Sequence, residues 1–221
     1  VHRAEFRDAF KEMFKYFGNS AYFDAAMNDI ATRPLAALAE SSGLDITDIH
    51  GRFDGLVQRE EEYMTNLAEK IPGIGHLVKA SERAFAGFLN KLRSDSFDAV
   101  AREYMAGGIR PDDNPRVYES LADFINVATG RAKFKSEMFR SSQGLLNAVF
   151  FSPRLLKSRV QMFNPIYYAS LAPPVRKMAV RSFLKLAGVG AGIISLASLY
   201  PDAEVETDPR STDFGKIKIG N

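Results

Sequence analysis

Residues 76–106 read HLVKASERAFAGFLNKLRSDSFDAVAREYMA, and in them Val78, Phe85, Phe88, Leu89, Leu92, Phe97 and Val100 recur at helical spacing. The run closes at Gly107-Gly108 and the polar PDDNP that follows, residues that stop a helix and start a turn. A long helix over 76–106 is therefore the expected backbone of the fold. Upstream, Phe6, Phe10, Phe14 and Phe17 are interleaved with Arg7, Asp8, Lys11 and Glu12, which makes 2–17 an amphipathic helix ended by Gly18-Asn19-Ser20. A second helix is expected over 22–30, and a short one in the LAALAE that follows Pro34, stopped at Ser41-Ser42-Gly43. Residues 45–70 are compatible with helix, with Glu60-Glu61-Glu62 inside and a break at Pro72-Gly73-Ile74-Gly75. Helices this short need packing to persist.

Downstream, 121–127 continues as helix, and beyond Gly130 the texture changes to short apolar pieces punctuated by Pro153, Pro165, Pro173 and Pro174. Pro174 suits the first turn of a helix, and from Val175 to Tyr200 apolar residues are almost continuous, Lys185 being the last charge before Asp202. The terminal FGKIKIGN alternates Ile217 and Ile219 with Lys216 and Lys218, the pattern of a strand, and Gly220-Asn221 is a turn-forming pair. A strand needs a partner for its backbone groups. The expected partner lies past the turn, and together with a start that lacks Met this predicts a longer parent chain.

The expected fold class is thus mainly α, a multi-helix assembly with a short β-strand or hairpin at the C-terminal end. Three regions are expected: an acidic helical domain over 1–130, a basic proline-punctuated segment with an apolar helix over 131–200, and an acidic loop with the start of a hairpin over 201–221. Charge draws these boundaries. Residues 1–130 carry 15 Lys and Arg against 21 Asp and Glu, residues 131–185 carry 11 against Glu137 alone, and the remainder carries 3 against 5. So one-sided a segment calls for an anionic partner.

The chain has 221 residues, 46% of them hydrophobic, enough for one or two cores. It has no cysteine, which removes disulfides, thiolate metal sites and cysteine nucleophiles together. His2, His50 and His76 stand apart from one another, outside any metal-ligand spacing. Glu60, Glu61 and Glu62 would point about 100° apart on a helix and cannot converge on one atom. No G-x-S-x-G elbow or S-x-x-K pair supports a serine nucleophile. Gly188, Gly190 and Gly192 fail the dinucleotide fingerprint, because its third glycine would fall on Ile193 and a strand should precede it. The reading is of a non-enzymatic chain without catalytic, cofactor or metal residues.

What remains is contact chemistry. Arg154, Lys157 and Arg159, and then Lys177, Arg181 and Lys185 at intervals of four, are candidate contacts for nucleic acid, for lipid headgroups or for the acidic half of another copy. Gly188 and Gly192 satisfy a small-xxx-small spacing and, with Ile193 and Leu196, mark a helix that packs closely in a protein core or enters a bilayer. If that glycine face packs on a helix, Gly192→Leu lowers stability or breaks assembly.

Four stretches carry a resemblance: ERAFAGFLNKLR at 82–93, LADFINVATGRA at 121–132, NAVFFSPRLLKSRVQMFNP at 147–165 and DPRSTDFGKIKIGN at 208–221. They resemble the large polyvalent protein-associated domains near the C-terminal ends of very long phage and prophage proteins. The resemblance implies cargo that enters the host with phage DNA, similar in some cases to the internal ejection proteins of short-tailed phages. It implies a virion-interior location followed by the host envelope or cytoplasm, and a homo-oligomer whose partners are its own copies, other virion proteins, DNA or host membrane. It supplies no catalytic residue and no cofactor. A non-catalytic scaffold domain of a cytosolic polyvalent phage enzyme is the alternative that it leaves open.

Overall fold

The computed structural model describes residues 3–47, 75–132, 153–200, 203–206 and 216–219. Among these the chain is mainly helical, with α1 (Arg3–Gly18), α2 (Ser20–Thr32), α3 (Ala36–Ser41), α4 (Gly75–Ala106), α5 (Pro115–Ala128), α6 (Pro153–Met162), α7 (Pro165–Ser170) and α8 (Pro173–Ala197), followed by β1 (Ala203–Val205) and β2 (Ile217–Ile219). The glutamates at 60–62, the break at 72–74, His2 and His50 lie outside the described residues, as does most of the helix expected over 45–70. Two compact units form, Val1–Val175 and Arg176–Asn221.

α4 is the spine of the first unit, and α1 lies against it. Gly87 permits the approach: a Cβ there would stand 2.5 Å from Cδ2 of Tyr16 and 3.0 Å from Cδ2 of Phe23. Both rings are buried, meeting edge to face at 5.8 Å, with Met13, Ala84, Ala26 and Met27 packed around them. Arg83 of α4 then donates to the carbonyls of Tyr16 at 2.9 Å and Phe17 at 3.0 Å, partnering two of the acceptors that a helix C-terminus leaves open. Asn19 starts α2 directly afterwards, its side chain accepting from the Tyr22 amide at 3.0 Å.

The face that α1 buries is not the one its phenylalanines mark. Ala9 and Tyr16 are buried, whereas Phe6, Phe10, Phe14 and Phe17 remain 41–63% exposed, the first three in ring contact with one another in sequence and Phe6 and Phe10 also with Phe88. The small Ala9 and the gap at Gly87 set how closely the helices come. Close approach, rather than the bulk of the phenylalanines, selects the interface.

Residues 44–47 are a non-helical strap, although a helix was expected to begin at Asp45. Gly43, at φ 83°, turns the chain out of α3, and two buried asparagines then take the strap's backbone bonds. Asn90 of α4 accepts from the Thr47 amide at 2.8 Å and donates to its carbonyl at 2.7 Å. Asn126 of α5 accepts from the Asp45 amide at 2.9 Å and donates to the Gly43 carbonyl at 2.9 Å. Each amide side chain imitates a neighbouring strand, which leaves these backbone groups nothing to gain from helix.

The division at Val175 differs from the boundary expected at 130, because α6 and α7 belong to the first unit. Tyr167 donates to Asp123 at 3.0 Å, the Ala132 amide to Ser158 at 2.9 Å and the Ala172 amide to Ser120 at 3.1 Å. The charge reversal at 130 marks two complementary halves of one core. In the second unit β1 and β2 pair antiparallel, Glu204 opposite Lys218. The strand at Ile217–Ile219 therefore has a partner upstream, at Ala203–Val205, where the sequence had suggested one past the terminal turn.

Gly87→Ala is expected to destabilise the first unit by about 1–3 kcal/mol, the usual cost of forcing bulk into a filled contact, because Tyr16 is enclosed and must shift. Chemical denaturation of the variant against the wild type measures it, and an unchanged midpoint would show that α1 and α4 have room to spare.

Candidate functional site

Of the candidate cations, Arg154 is withdrawn from any external ligand. It is 6% exposed and its Nη2 donates to Asp45 of the strap, so its partner was supplied by the acidic half of the same chain. Arg93 also reaches the strap, donating to the Asp45 carbonyl at 3.1 Å and to Oγ1 of Thr129 at 2.8 Å, while Arg131 donates to Oγ1 of Thr47 at 2.8 Å. Burial alone would push the Asp45 carboxyl up. Arg154, Arg131 and Arg93 outweigh it and hold the carboxyl below the usual carboxylate range.

Lys157 is half-buried on α6 and Arg159 is exposed. Lys177, Arg181 and Lys185 are all exposed, and their spacing of four sets them as one stripe along α8. Beyond Lys185 the helix does not bury itself: Leu186, Val189, Ile193 and Leu196 are each at least 56% exposed. α8 is long and apolar enough to cross a membrane by length and composition, with an 18-residue stretch of mean hydropathy 1.4 of which 6% is buried. Residues 183–200 are thus largely exposed in the structure, which leaves a bilayer or another chain as the surroundings to be proposed for them. Among the described residues nothing packs on the glycine face, since a Cβ at Gly188 or Gly192 would meet no atom within 4 Å.

The sequence around these elements is depleted of acid further than the charge count over 131–185 showed. From Met138 to Pro201, 64 residues contain no Asp or Glu and eight Lys or Arg. The exposed cations of this stretch, Arg159, Lys177, Arg181 and Lys185 among them, have no acid beside them in the sequence.

A hollow of about 490 Å³ opens beside α1, α2 and α4, lined by Asp8, Lys11, Glu12, Tyr22, Arg33 and Lys91 among others. Its polar groups answer one another. Lys15 donates to Glu12 at 2.9 Å, Tyr22 donates to the other oxygen of Glu12, Lys91 pairs with Asp95 at 2.8 Å, and Arg33 joins Asp29 to Asp95 at 3.1 and 2.7 Å. Burial raises the Glu12 carboxyl, but the bonds from Tyr22 and Lys15 prevail and lower it, so it is ionised at neutral pH and unsuited to donate a proton. Among the described residues no group of three or more His, Asp or Glu could hold a metal ion, and His76 is exposed.

No protein-family model, curated protein or solved structure matches the chain.

Sequence reasoning did not single out Asn90, Arg93 and Asn126, polar residues inside the helical pattern that the structure buries. Their signal was present: Asn90, Arg93 and Phe97 fall three and four residues apart, so two polar residues share a stripe with a core phenylalanine.

Two outcomes are expected. Gly192→Leu in the isolated chain should be neutral or stabilising by roughly 0.5–1 kcal/mol, the reverse of the effect that a packed glycine face would give, as the melting temperature will show. Asp45→Asn should destabilise by about 3–5 kcal/mol at neutral pH, because it leaves the buried Arg154 guanidinium without its carboxylate. Since the Asp45 pKa is lowered on folding, its stabilisation is full above the unfolded-state pKa and disappears as pH falls through the folded value. The gap between wild type and variant in denaturant titrations must therefore close in acid, and a gap that stays constant to low pH would refute the ion pair.

Proposed function

We propose that this chain is a non-catalytic interaction module of a phage virion-carried protein, one that engages a lipid bilayer through α8. The observation that carries the reading is the exposure of the apolar second half of α8, from Leu186 to Leu196, preceded on the same helix by Lys177, Arg181 and Lys185. A water-exposed apolar surface of this extent marks an interaction site, and cations at the head of an apolar run are placed to meet anionic headgroups while the run enters the acyl region. The resemblance of 82–93, 121–132, 147–165 and 208–221 to polyvalent and ejection proteins supports the phage setting. Copies of the chain, other virion proteins and DNA are the remaining proposed partners, with the virion interior and then the host envelope or cytoplasm as its location.

The exposed Phe6, Phe10, Phe14 and Phe17 favour a second reading, in which the chain is a docking scaffold inside a cytosolic polyvalent phage enzyme. Flotation with vesicles containing anionic lipid separates the two. The wild type should float, and Ile193→Lys with Leu196→Lys should abolish flotation, each lysine at mid-helix costing about 2.5–3.5 kcal/mol on insertion scales. A wild type that stays at the bottom of the gradient, together with its absence from the proteins of purified virions, would transfer the chain to the scaffold reading.

A further inference from the structure

α6 is built inside out. Its inward face is polar: Arg154 is tied to Asp45, and Ser158 accepts from the Ala132 amide at 2.9 Å. The opposite face, at intervals of four and three, holds Leu156, Val160 and, just past the helix end, Phe163, which are 47, 62 and 77% exposed. Ile166, at the start of α7, is 76% exposed. A helix on a water-facing surface has the reverse arrangement.

The projecting corner is also fixed in shape. Asn164 accepts from the Ile166 amide at 2.9 Å, Tyr168 donates across the corner to the Met162 carbonyl at 2.8 Å, and Tyr167 anchors α7 to Asp123 of α5. Phe163 and Ile166 are thus held outward on a rigid turn. Arg159 is exposed on the shoulder of the apolar stripe, and the corner lies within the 64 residues that contain no carboxylate.

We propose that the α6–α7 corner is a second, shallow membrane contact: Leu156, Val160, Phe163 and Ile166 enter the interfacial layer of an anionic bilayer, with Arg159 at the phosphates. Charge selects this occupant. α6 and α7 carry exposed Arg159 and no carboxylate of their own, and the acids beneath them, Asp45 and Asp123, are bonded to Arg154 and Tyr167, so the stripe fits a negatively charged lipid surface, whereas protein partners present both signs of charge. The contact belongs to the first unit and is made without α8, although it rests on the proposed membrane engagement.

The chain contains no tryptophan, so Ile166→Trp and Leu196→Trp each introduce a single fluorescent reporter, both at exposed positions. The full chain is titrated with vesicles of phosphatidylglycerol and phosphatidylethanolamine, and separately of phosphatidylcholine alone. The Ile166→Trp emission should shift to the blue on anionic vesicles, with strongest quenching by lipids brominated near the headgroup, and respond little to phosphatidylcholine. Adding Val160→Asp should weaken that response roughly tenfold or more, the factor for losing one buried apolar side chain of this size. A shift of Leu196→Trp with Ile166→Trp left in water overturns the corner contact and leaves the α8 proposal standing. If neither reporter responds, both fall. Equal response to the two vesicle types, a blue shift at Ile166→Trp without lipid, or a response to duplex DNA in place of vesicles each overturns the assignment to anionic lipid.

Discussion

The first unit depends on a carboxylate taken out of water. Asp45 is held below its ordinary range only because Arg154, Arg131 and Arg93 are near it, and those three side chains come from α6, the segment just past α5, and α4. A buried charge without its counter-charge costs several kcal/mol. The strap, α4 and α6 therefore have to be in place together, and the residues from 153 onward serve as ionic complement to a segment more than a hundred positions earlier. The asparagines add direction, because Asn90 and Asn126 each bind one amide and one carbonyl and so define the strap's register as well as its presence.

Long apolar periodicity was legible in the sequence, and α4 spans Gly75–Ala106 where the pattern of 76–106 placed it. Glycine and proline marked helix ends correctly at Gly43, at Gly107-Gly108 and at Pro173-Pro174, since these residues act through local backbone preference. Which face a helix buries was less legible. In α1 the phenylalanines advertise one side and the packing uses the adjacent one, since the decisive quantity is the distance allowed at Gly87, a property of two helices together.

The candidate contacts were legible in part. Lys177, Arg181 and Lys185 follow from a local spacing, and the exposed apolar run of α8 was visible as a run, although its exposure was not. Arg154 read identically to Arg159 in composition, yet the two stand on opposite sides of α6 and meet opposite surroundings. Five residues of helix turn the side chain through more than a full revolution, and no tally of charge registers that. The partner of β2 was unreadable for another reason: AEV at 203–205 is too short to carry an alternation of its own.

The stretch from Met138 to Pro201 has no histidine as well as no carboxylate, its ionisable side chains being lysine, arginine and tyrosine. None of these has an ordinary pKa between about 5 and 9. The electrical character of this region is therefore set once, by sequence, and is the same in an acidified compartment as in a neutral one. Ionic strength is the variable to which it answers, because screening at physiological salt already limits exposed charges to a range of about 8 Å. A surface of that kind attaches on proximity and loosens in brine, indifferent to the proton.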